Sequence, residues 1–265
     1  MSDTRKKKIA IGVEDFKTII NKNGYFVDKT LMIQKLIESE AMVTLFTRPR
    51  RFGKTLNQFM IRRFFEDEIT EKGEKVDNGY LFDGLKIAEC GEEILSHQQQ
   101  YPVIFLNFTL AKHSCFEMSQ ESLIDEICHE FQRHRYVLQS DALLPIEKER
   151  YENLLNRRAD EKEVAKAFAF LSECLFKYHG KNTIILIDEY DVPLDKAFQH
   201  GYYREMVYFI RGLLGEALKT NDSLNFAVLT GCLRISKESI FTGLNNFKIL
   251  SITDTRFDEQ FGFTD

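Results

Sequence analysis

The sequence contains no tryptophan, only four prolines and only fourteen glycines in 265 residues. Average usage is about 5% for proline and about 7% for glycine, so a collagenous, linker-rich or low-complexity chain is excluded. Residues that break helices are scarce, which favours long helices with strands buried between them. Apolar runs stay well below the about 18 residues of a membrane span, and no signal peptide is recognisable behind the charged N-terminus.

Cysteine is also sparse and scattered. The five cysteines form no CxxC pair and no Cys/His cluster at metal-ligand spacing, so we expect a reduced, cytoplasmic protein without structural zinc. Hydrophobic residues make up 43% of the chain and charged residues 29%, which is typical of ordinary globular proteins.

Acidic residues are missing from one region. Between Ala41 and Phe65 there are six basic residues and no acidic one, although the whole chain has a net charge of −5. The six are Arg48, Arg50, Arg51, Lys54, Arg62 and Arg63. An isolated basic cluster in an acidic protein predicts a local anionic ligand and argues against general nucleic-acid binding.

Apolar, β-branched runs alternate with helical segments along the chain. Strands are predicted at 24–27, 42–47, 102–108, 183–188, 224–230 and 247–252. Helices are predicted at about 15–21, 30–39, 54–67, 116–138, 147–156, 161–178 and 202–219. This alternation predicts an α/β fold with a mostly parallel sheet flanked by helices. We expect one domain over residues 1–265, with the helices between about 116 and 178 as an elaboration on it.

A phosphate-binding loop is predicted between a buried strand and a helix. Gly53-Lys54-Thr55 has the context of a Walker A motif. The helix start favours a phosphate, Lys54 can reach the β- and γ-phosphates, and the Thr55 hydroxyl can hold Mg²⁺. The usual first glycine is replaced by Arg48. The turn must therefore be made by other means, and the restricted backbone of Pro49 is one candidate.

The residues predicted to bind the nucleotide are consecutive. They are Arg50, Arg51, Phe52, Gly53, Lys54, Thr55 and Leu56. Arg50 and Arg51 are either additional phosphate ligands or side chains that face solvent or an acidic partner.

A second motif follows the predicted strand 183–188. Asp188 and Glu189 end this strand in the manner of a Walker B motif with a catalytic glutamate. Asp188 would hold Mg²⁺ together with Thr55, and Glu189 would activate a water against the γ-phosphate. The alternative is a strand that ends in two exposed acids. Asp191 either orients Glu189 or caps the next helix.

Two further candidates lie at the end of the strand 224–230 and just after it. Thr230 would sense the γ-phosphate and the attacking water, or it is an ordinary residue at a strand end. Arg234 would stabilise transition-state charge in its own site or in a neighbouring subunit, or it is a surface arginine.

Five segments together resemble the AAA-ATPase-like family of bacterial P-loop proteins. They are YFVDKT at 25–30, RPRRFGKT at 48–55, IDEYDVPL at 187–194, TGCLRI at 230–235 and SIFTGLNN at 239–246. The resemblance covers about residues 11–265, and an arginine at position 48 is usual in this family. It implies an ATP-binding P-loop domain of the additional-strand type, related to AAA+ and STAND ATPases.

The resemblance has two further implications. Related ATPases contact adenine from the segment before the loop strand, so Tyr25, Phe26 or Asp28 line an adenine pocket unless they pack in the core. Longer members continue past the equivalent of Asp265 into a helical lid segment and a domain similar to PD-(D/E)XK nucleases. We therefore expect these parts to be missing from this chain.

Three functional hypotheses result. The first is a domain that binds ATP with Mg²⁺ and hydrolyses it, as a switch or motor for an attached effector. The second is a small-molecule kinase, which the Asp188-Glu189 pair disfavours because it suits activated water. The third is a nucleotide-binding module without turnover. A homo-oligomer, or DNA or a partner protein contacted through the effector, is the expected partner, and no membrane is expected.

Overall fold

The computed structural model describes residues 8–9, 12–233, 240–241 and 247–262. These residues contain the strands β1 (Val43–Thr47), β2 (Val103–Asn107), β3 (Thr183–Asp188), β4 (Leu224–Gly231) and β5 (Phe247–Leu250). All five pair in parallel, in the order β2-β3-β4-β1-β5. The predicted α/β fold with a parallel sheet is confirmed. β4 lies between β1 and β3, as the additional-strand topology requires.

Helices connect the strands and cover both faces of the sheet. In the described residues they are α1 (Phe16–Asn21), α2 (Leu31–Glu38), α3 (Lys54–Phe65), α4 (Glu92–Leu95), α5 (Phe116–Arg133), α6 (Pro145–Leu155), α7 (Glu161–Ala165), α8 (Ala167–His179), α9 (Val192–His200) and α10 (Tyr203–Leu218). Single 3-10 turns lie at Gly79–Phe82, Lys86–Glu89, Phe108–Leu110, Arg135–Gln139 and Thr255–Phe257. None of the helices in this part of the chain has the length and apolar character needed to cross a membrane.

The strands are buried on both faces and serve two cores. Side chains alternate between the faces of a sheet, and in β3 this sends Ile184 and Leu186 into a core with α1, α2 and α3. Ile185 and Ile187 enter the core formed with α5, α6, α8, α9 and α10. The near-continuous apolar sequence of β3 is the pattern expected for a strand covered from both sides.

The edge strand β2 is covered by polar side chains of α5. Glu130 accepts a hydrogen bond from the backbone N–H of Phe105 at 2.7 Å, and Glu126 accepts one from that of Asn107 at 2.7 Å. Arg133 donates to the carbonyl of Val103. Three backbone groups on the outer side of this edge strand are therefore bonded to side chains of the same chain.

Two of the predicted helices are interrupted. The helix expected over 116–138 ends at Arg133, where Arg133 and His134 turn towards the carbonyl of Val103, and a 3-10 turn follows. The helix expected over 161–178 is divided into α7 and α8 by Lys166, whose φ of −94° and ψ of 0° depart from helical values.

The strand predicted at 24–27 is wrong. Gly24 makes a single isolated β-bridge with Lys8, and the backbone N–H of Tyr25 donates to the carbonyl of Lys8 at 2.8 Å. The chain then turns into α2 through Asp28, which accepts hydrogen bonds from the backbone and hydroxyl of Thr30 at 2.9 and 2.6 Å. The turn leaves too few residues for a strand ladder.

Candidate functional site

The loop between β1 and α3 is folded around the lysine that follows it. Lys54 Nζ donates to the carbonyl oxygens of Arg48 and Pro49 at 3.2 and 3.3 Å. Gly53, the residue before α3, has a φ of 77°, a left-handed conformation that suits glycine. Arg51 is also left-handed, with a φ of 68°. The turn is thus made without the glycine that usually stands at position 48.

Arg48 is buried, with 2% of its surface exposed. Its Nη1 donates to the carbonyls of Thr47 and Leu250 at 3.0 and 2.8 Å, and its guanidinium carbon lies 4.9 Å from the ring centre of Phe261. Its backbone N–H donates to the carbonyl of Gly231 at 3.0 Å. These contacts attach the loop to β4, β5 and the segment after β5.

Lys54 faces the acidic end of β3. Its Nζ lies 3.3 Å from Glu189 Oε1, in an ion pair whose side chains are 3% and 19% exposed. The same Nζ donates to Cys232 Sγ at 3.3 Å. Glu189 has a φ of 53°, which is rare for a residue with a side chain and which directs the chain out of β3. The ammonium group is therefore paired with the Glu189 carboxylate in a largely buried position.

Asp188 is completely buried between two hydroxyl groups. Thr55 Oγ1 donates to its Oδ2 at 2.6 Å, and Thr230 Oγ1 donates to its Oδ1. Burial raises the pKa of Asp188, and the two hydroxyl hydrogen bonds oppose that rise. Together with the Lys54–Glu189 ion pair, this brings five of the sequence-predicted residues into one site at the carboxyl edge of β1, β3 and β4.

The residues around Asp188 fit a hard divalent cation. Thr55 and Asp188 offer a hydroxyl and a carboxylate oxygen 2.6 Å apart, and oxygen donors of this kind suit Mg²⁺. The described residues contain no cluster of three or more His, Cys, Asp or Glu side chains that would hold a metal by themselves. A Mg²⁺ ion here would need further oxygens from a ligand, as it does in nucleotide sites.

Asp191 fastens the segment after β4. It occupies the N-cap position of α9 but makes no side-chain cap. Its carboxylate accepts instead from the backbone N–H groups of Cys232 and Leu233 at 2.9 and 2.7 Å. Burial raises its pKa, and these backbone hydrogen bonds oppose the rise. Asp191 thus stands at the start of α9 without capping it, and its predicted role in orienting Glu189 stays a prediction.

A pocket of about 230 Å³ opens beside the start of α3. Its walls come from the N-terminal segment, the loop between β1 and α3, α3 itself and the segment after β5. Its lining includes Tyr25, Phe26, Phe52, Leu56, Asn57, Gln260 and Gly262. Tyr25 and Phe26 therefore line a pocket, whereas Asp28 accepts from Thr30 and from the backbone N–H of Lys86 at 2.7 Å.

A second cleft of about 250 Å³ lies beyond Glu189. It is lined by Arg50, Glu189, Asp191, Val192, Asp195, Cys232 and Leu233. Arg50 is exposed and belongs to this cleft, while Arg51, Phe52, Gly53 and Leu56 belong to the first pocket. Of the predicted binding residues on the loop, Arg50 thus lines one opening, four line the other, and Lys54 and Thr55 line neither.

The basic cluster predicted from the sequence is largely used inside the molecule. Arg62 pairs with Glu66 at 2.7 Å, and Arg63 pairs with Glu68 at 2.6 Å. Of the six basic residues, Arg50 and Arg51 are exposed, and the other four are buried or half-buried. The cluster is therefore not a continuous basic face. Arg234, the remaining predicted site residue, lies outside the described residues.

Sequence reasoning missed three contributors to the site. Cys232 contacts Lys54, and Asn57 and Gln260 line the first pocket. The position of Cys232 two residues after Thr230 was an available signal, because residues that follow neighbouring parallel strands meet at one edge. Gln260 is more than 200 residues from Asn57 in the chain, and no local pattern indicates their contact.

Comparisons with known proteins agree with this architecture. The family model described as "Predicted AAA-ATPase" matches residues 10–241. A protein of Azotobacter chroococcum mcd 1, described as an uncharacterized protein in the vnfD 5' region, is 28% identical over 262 residues. That alignment covers 98% of this chain and 44% of the relative, so the chain spans less than half of the relative's length. No solved structure matches. Because the family model covers most of the sequence and includes both strand-end motifs, the chain belongs to the AAA-ATPase-like family.

Proposed function

We propose that this chain binds ATP together with Mg²⁺ and hydrolyses it at the carboxyl edge of the sheet. Membership of the AAA-ATPase-like family implies nucleotide binding or hydrolysis in general. One observation carries the specific proposal. Lys54, Thr55, Asp188, Glu189 and Thr230 converge from three different strands in one site.

Each of these residues has a distinct role in the proposal. Lys54 binds the β- and γ-phosphates, for which it exchanges its ion pair with Glu189. Thr55 and Asp188 hold Mg²⁺, which neutralises the charge on the phosphates. Glu189 faces the second cleft and takes the proton of an attacking water. Thr230 orients that water or the γ-phosphate.

The two openings beside Lys54 suit the two ends of a nucleoside triphosphate. The pocket of about 230 Å³ is lined by aromatic and amide side chains, as a planar base requires. The cleft of about 250 Å³ contains Glu189 and the exposed Arg50. Arg50 is therefore proposed as a ligand of the γ-phosphate, and Arg51 and Phe52 are proposed as contacts of the ribose and base.

The wider role is proposed from the family and not from the site. We propose that ATP turnover drives a switch or motor for an attached effector, which acts in the cytoplasm on DNA or a partner protein. A homo-oligomer would allow Arg234 to reach a neighbouring site. The chain spans 44% of its Azotobacter relative, and the rest of such a protein is where an effector would lie.

The first test is an assay of phosphate release from Mg-ATP by the purified chain and three variants. We expect hydrolysis without an added acceptor. Lys54→Ala should abolish ATP binding, because it removes the cation that lies inside the site next to Glu189 and Cys232. Glu189→Gln should keep ATP binding and lower kcat by about 10²–10⁴-fold, the usual contribution of a general base.

Lys181→Ala is the matched control, since this exposed lysine lies just before β3, at the opposite end of the strand. Binding that survives Lys54→Ala would contradict the assignment of the site. Tight binding without turnover in the unaltered chain would favour a nucleotide-binding module, and turnover only with an added hydroxyl acceptor would favour a kinase.

A further inference from the structure

Arg48, which stands where a Walker A motif has its first glycine, contacts both Lys54 and the end of β5. Arg48 begins the phosphate loop, and its carbonyl accepts from Lys54 Nζ at 3.2 Å. Its side chain leaves the loop in the other direction and donates to the carbonyl of Leu250, the last residue of β5. A single residue therefore contacts both the phosphate-binding lysine and the strand that leads into the C-terminal segment.

The segment after β5 forms one wall of the base pocket. Gln260 and Gly262 line the pocket, and the intervening Phe261 is buried, with its ring under the Arg48 guanidinium at 4.9 Å. The Phe46 ring packs against Phe261 from β1, with ring centres 5.0 Å apart. The ring that carries this wall is thus held between the first strand and Arg48.

Two further contacts fix the wall on the loop and on α3. The N–H of Gly262 donates to the carbonyl of Phe52 at 3.2 Å, and Asn57 Nδ2 donates to the carbonyl of Gln260 at 2.9 Å. A side chain at position 262 would lie 3.2 Å from the Phe52 ring, so the wall approaches the loop closely. Unlike the contacts made by Gly262 and Asn57, the contact of Arg48 with this segment involves a buried charge.

Arginine suits this position for physical reasons. Its planar guanidinium can donate to two carbonyls while it lies flat on an aromatic ring, which an ammonium group cannot do. The described residues provide no hydrogen-bond partner for its Nη2, and burial lowers the pKa of Arg48 while Asp254 and Asp258 oppose that shift. Burial of this charge is unfavourable unless other contacts offset it. The contacts of Arg48 with Leu250 and Phe261, which lead to the wall of the base pocket, provide that offset.

We propose that Arg48 is a positioning residue that holds the wall Gln260–Gly262 against the phosphate loop and thereby determines how tightly the base is bound. The proposal rests on the proposed nucleotide function. The backbone and the side chain of Arg48 have different roles. Its backbone shapes the loop around Lys54, which any residue could do, and its side chain secures the base pocket.

The test compares Mg-ATP with Mg-tripolyphosphate, which has the phosphates but no base. Dissociation constants for both are measured by calorimetry on the whole chain and on Arg48→Lys and Phe261→Leu. The unaltered chain should prefer ATP. Each variant should lose about tenfold in ATP affinity, the scale of one charge-assisted hydrogen bond, with tripolyphosphate affinity unchanged within about twofold.

Arg256→Met is the control, because this arginine lies in the same segment but is exposed and pairs with Asp254 at 2.7 Å. It should leave both affinities unchanged. Equal losses for both ligands in Arg48→Lys, or an unchanged preference for ATP, would overturn the proposal. If Arg48→Lys does not fold, Phe261→Leu decides by the same comparison.

The outcome for the unaltered chain separates this inference from the proposed function. If it binds neither ligand, the nucleotide function itself is wrong. If it binds tripolyphosphate as tightly as ATP, phosphate binding stands and the base-pocket role of Arg48 is overturned.

Discussion

At the scale of single residues, Gly231 shows how closely the chain segments approach each other at the site. A Cβ atom at this position would lie 2.5 Å from Asp191 Oδ1 and 2.7 Å from the ring carbons of Tyr190. Tyr190 also donates its hydroxyl to the carbonyl of Leu233 at 2.8 Å. Glycine is therefore required by space and not by a left-handed backbone.

We expect Gly231→Ala to lower the free energy of unfolding by about 1–3 kcal/mol, as overpacked cores do. Urea denaturation measures this change. Gly215→Ala is the matched control, because an added Cβ there meets no atom within 4 Å and the position is inside α10. That variant should gain about 0.5–1 kcal/mol. Equal effects of the two substitutions would show that the close approach has no energetic importance.

A second residue-scale prediction concerns Asp188. Its pKa is raised by burial, so a neutral amide of the same shape should be tolerated in the ligand-free protein. Asp188→Asn should therefore unfold at a temperature similar to that of the unaltered chain, yet it should lose the proposed Mg²⁺ ligand.

The measurement is thermal unfolding with ATP, with and without Mg²⁺. A ligand at 100 times its Kd stabilises by about 2.7 kcal/mol, which corresponds to roughly 5–10 °C for a domain of this size. The Mg²⁺-dependent part of this shift should be absent in Asp188→Asn. A full Mg²⁺-dependent shift in that variant would contradict the assignment of Asp188.

At the scale of elements, the contact between α5 and β2 depends on a buried network of charges. Glu66, at the end of α3, and Glu130, in α5, both pair with Arg133. Burial alone would raise the pKa of Glu66, but Arg133 and Arg62 lower it to about 2. Arg133 likewise lowers the pKa of Glu130 against the effect of burial.

These depressed pKa values predict loss of stability in acid. A carboxylate whose folded pKa lies below its unfolded value stabilises the fold above the unfolded pKa, and this contribution is lost as the pH falls. For Glu66 the loss should extend from about pH 4.5 down to about 2. Stability measured by urea denaturation at several pH values should decrease over this range, and a constant stability would contradict the network's role.

The same network predicts different effects for two neighbouring glutamates. Glu130→Gln removes a buried charge that pairs with Arg133 and should cost about 1.5–3 kcal/mol at pH 7. Glu126→Gln is the matched control, because Glu126 also accepts from β2, but burial and Glu130 raise its pKa. The neutral amide should be accepted there with little loss. The prediction fails if the two variants are equally unstable.

The sequence predicted elements and motifs well where the information was local. Strands such as β3 have continuous apolar runs, and the motifs that end at Thr55 and Glu189 directly follow such runs. The end of α5 could not be predicted, because it depends on the carbonyl of Val103, about 30 residues away. The burial of Arg48 depends on Leu250, 202 residues further along the chain.

At the scale of the whole molecule, the parallel sheet explains why distant motifs meet. β1, β3 and β4 are adjacent and end at the same edge, so their following residues converge although the chain separates them by up to 178 positions. The chemical roles of the converging residues stay predictions until turnover is measured. The two cores pack against the sheet from both faces.

If ATP binds as proposed, the ion pair between Lys54 and Glu189 competes with the incoming nucleotide for the lysine. In the proposed function, a phosphate displaces the carboxylate from the lysine, so the apparent affinity for ATP would contain the free energy of separating the pair. A variant that neutralises Glu189 would remove this competition together with the proposed catalytic base. Tighter nucleotide binding by such a variant therefore measures a lost competition as well as slow hydrolysis, and the two are distinguished only by association and dissociation rates.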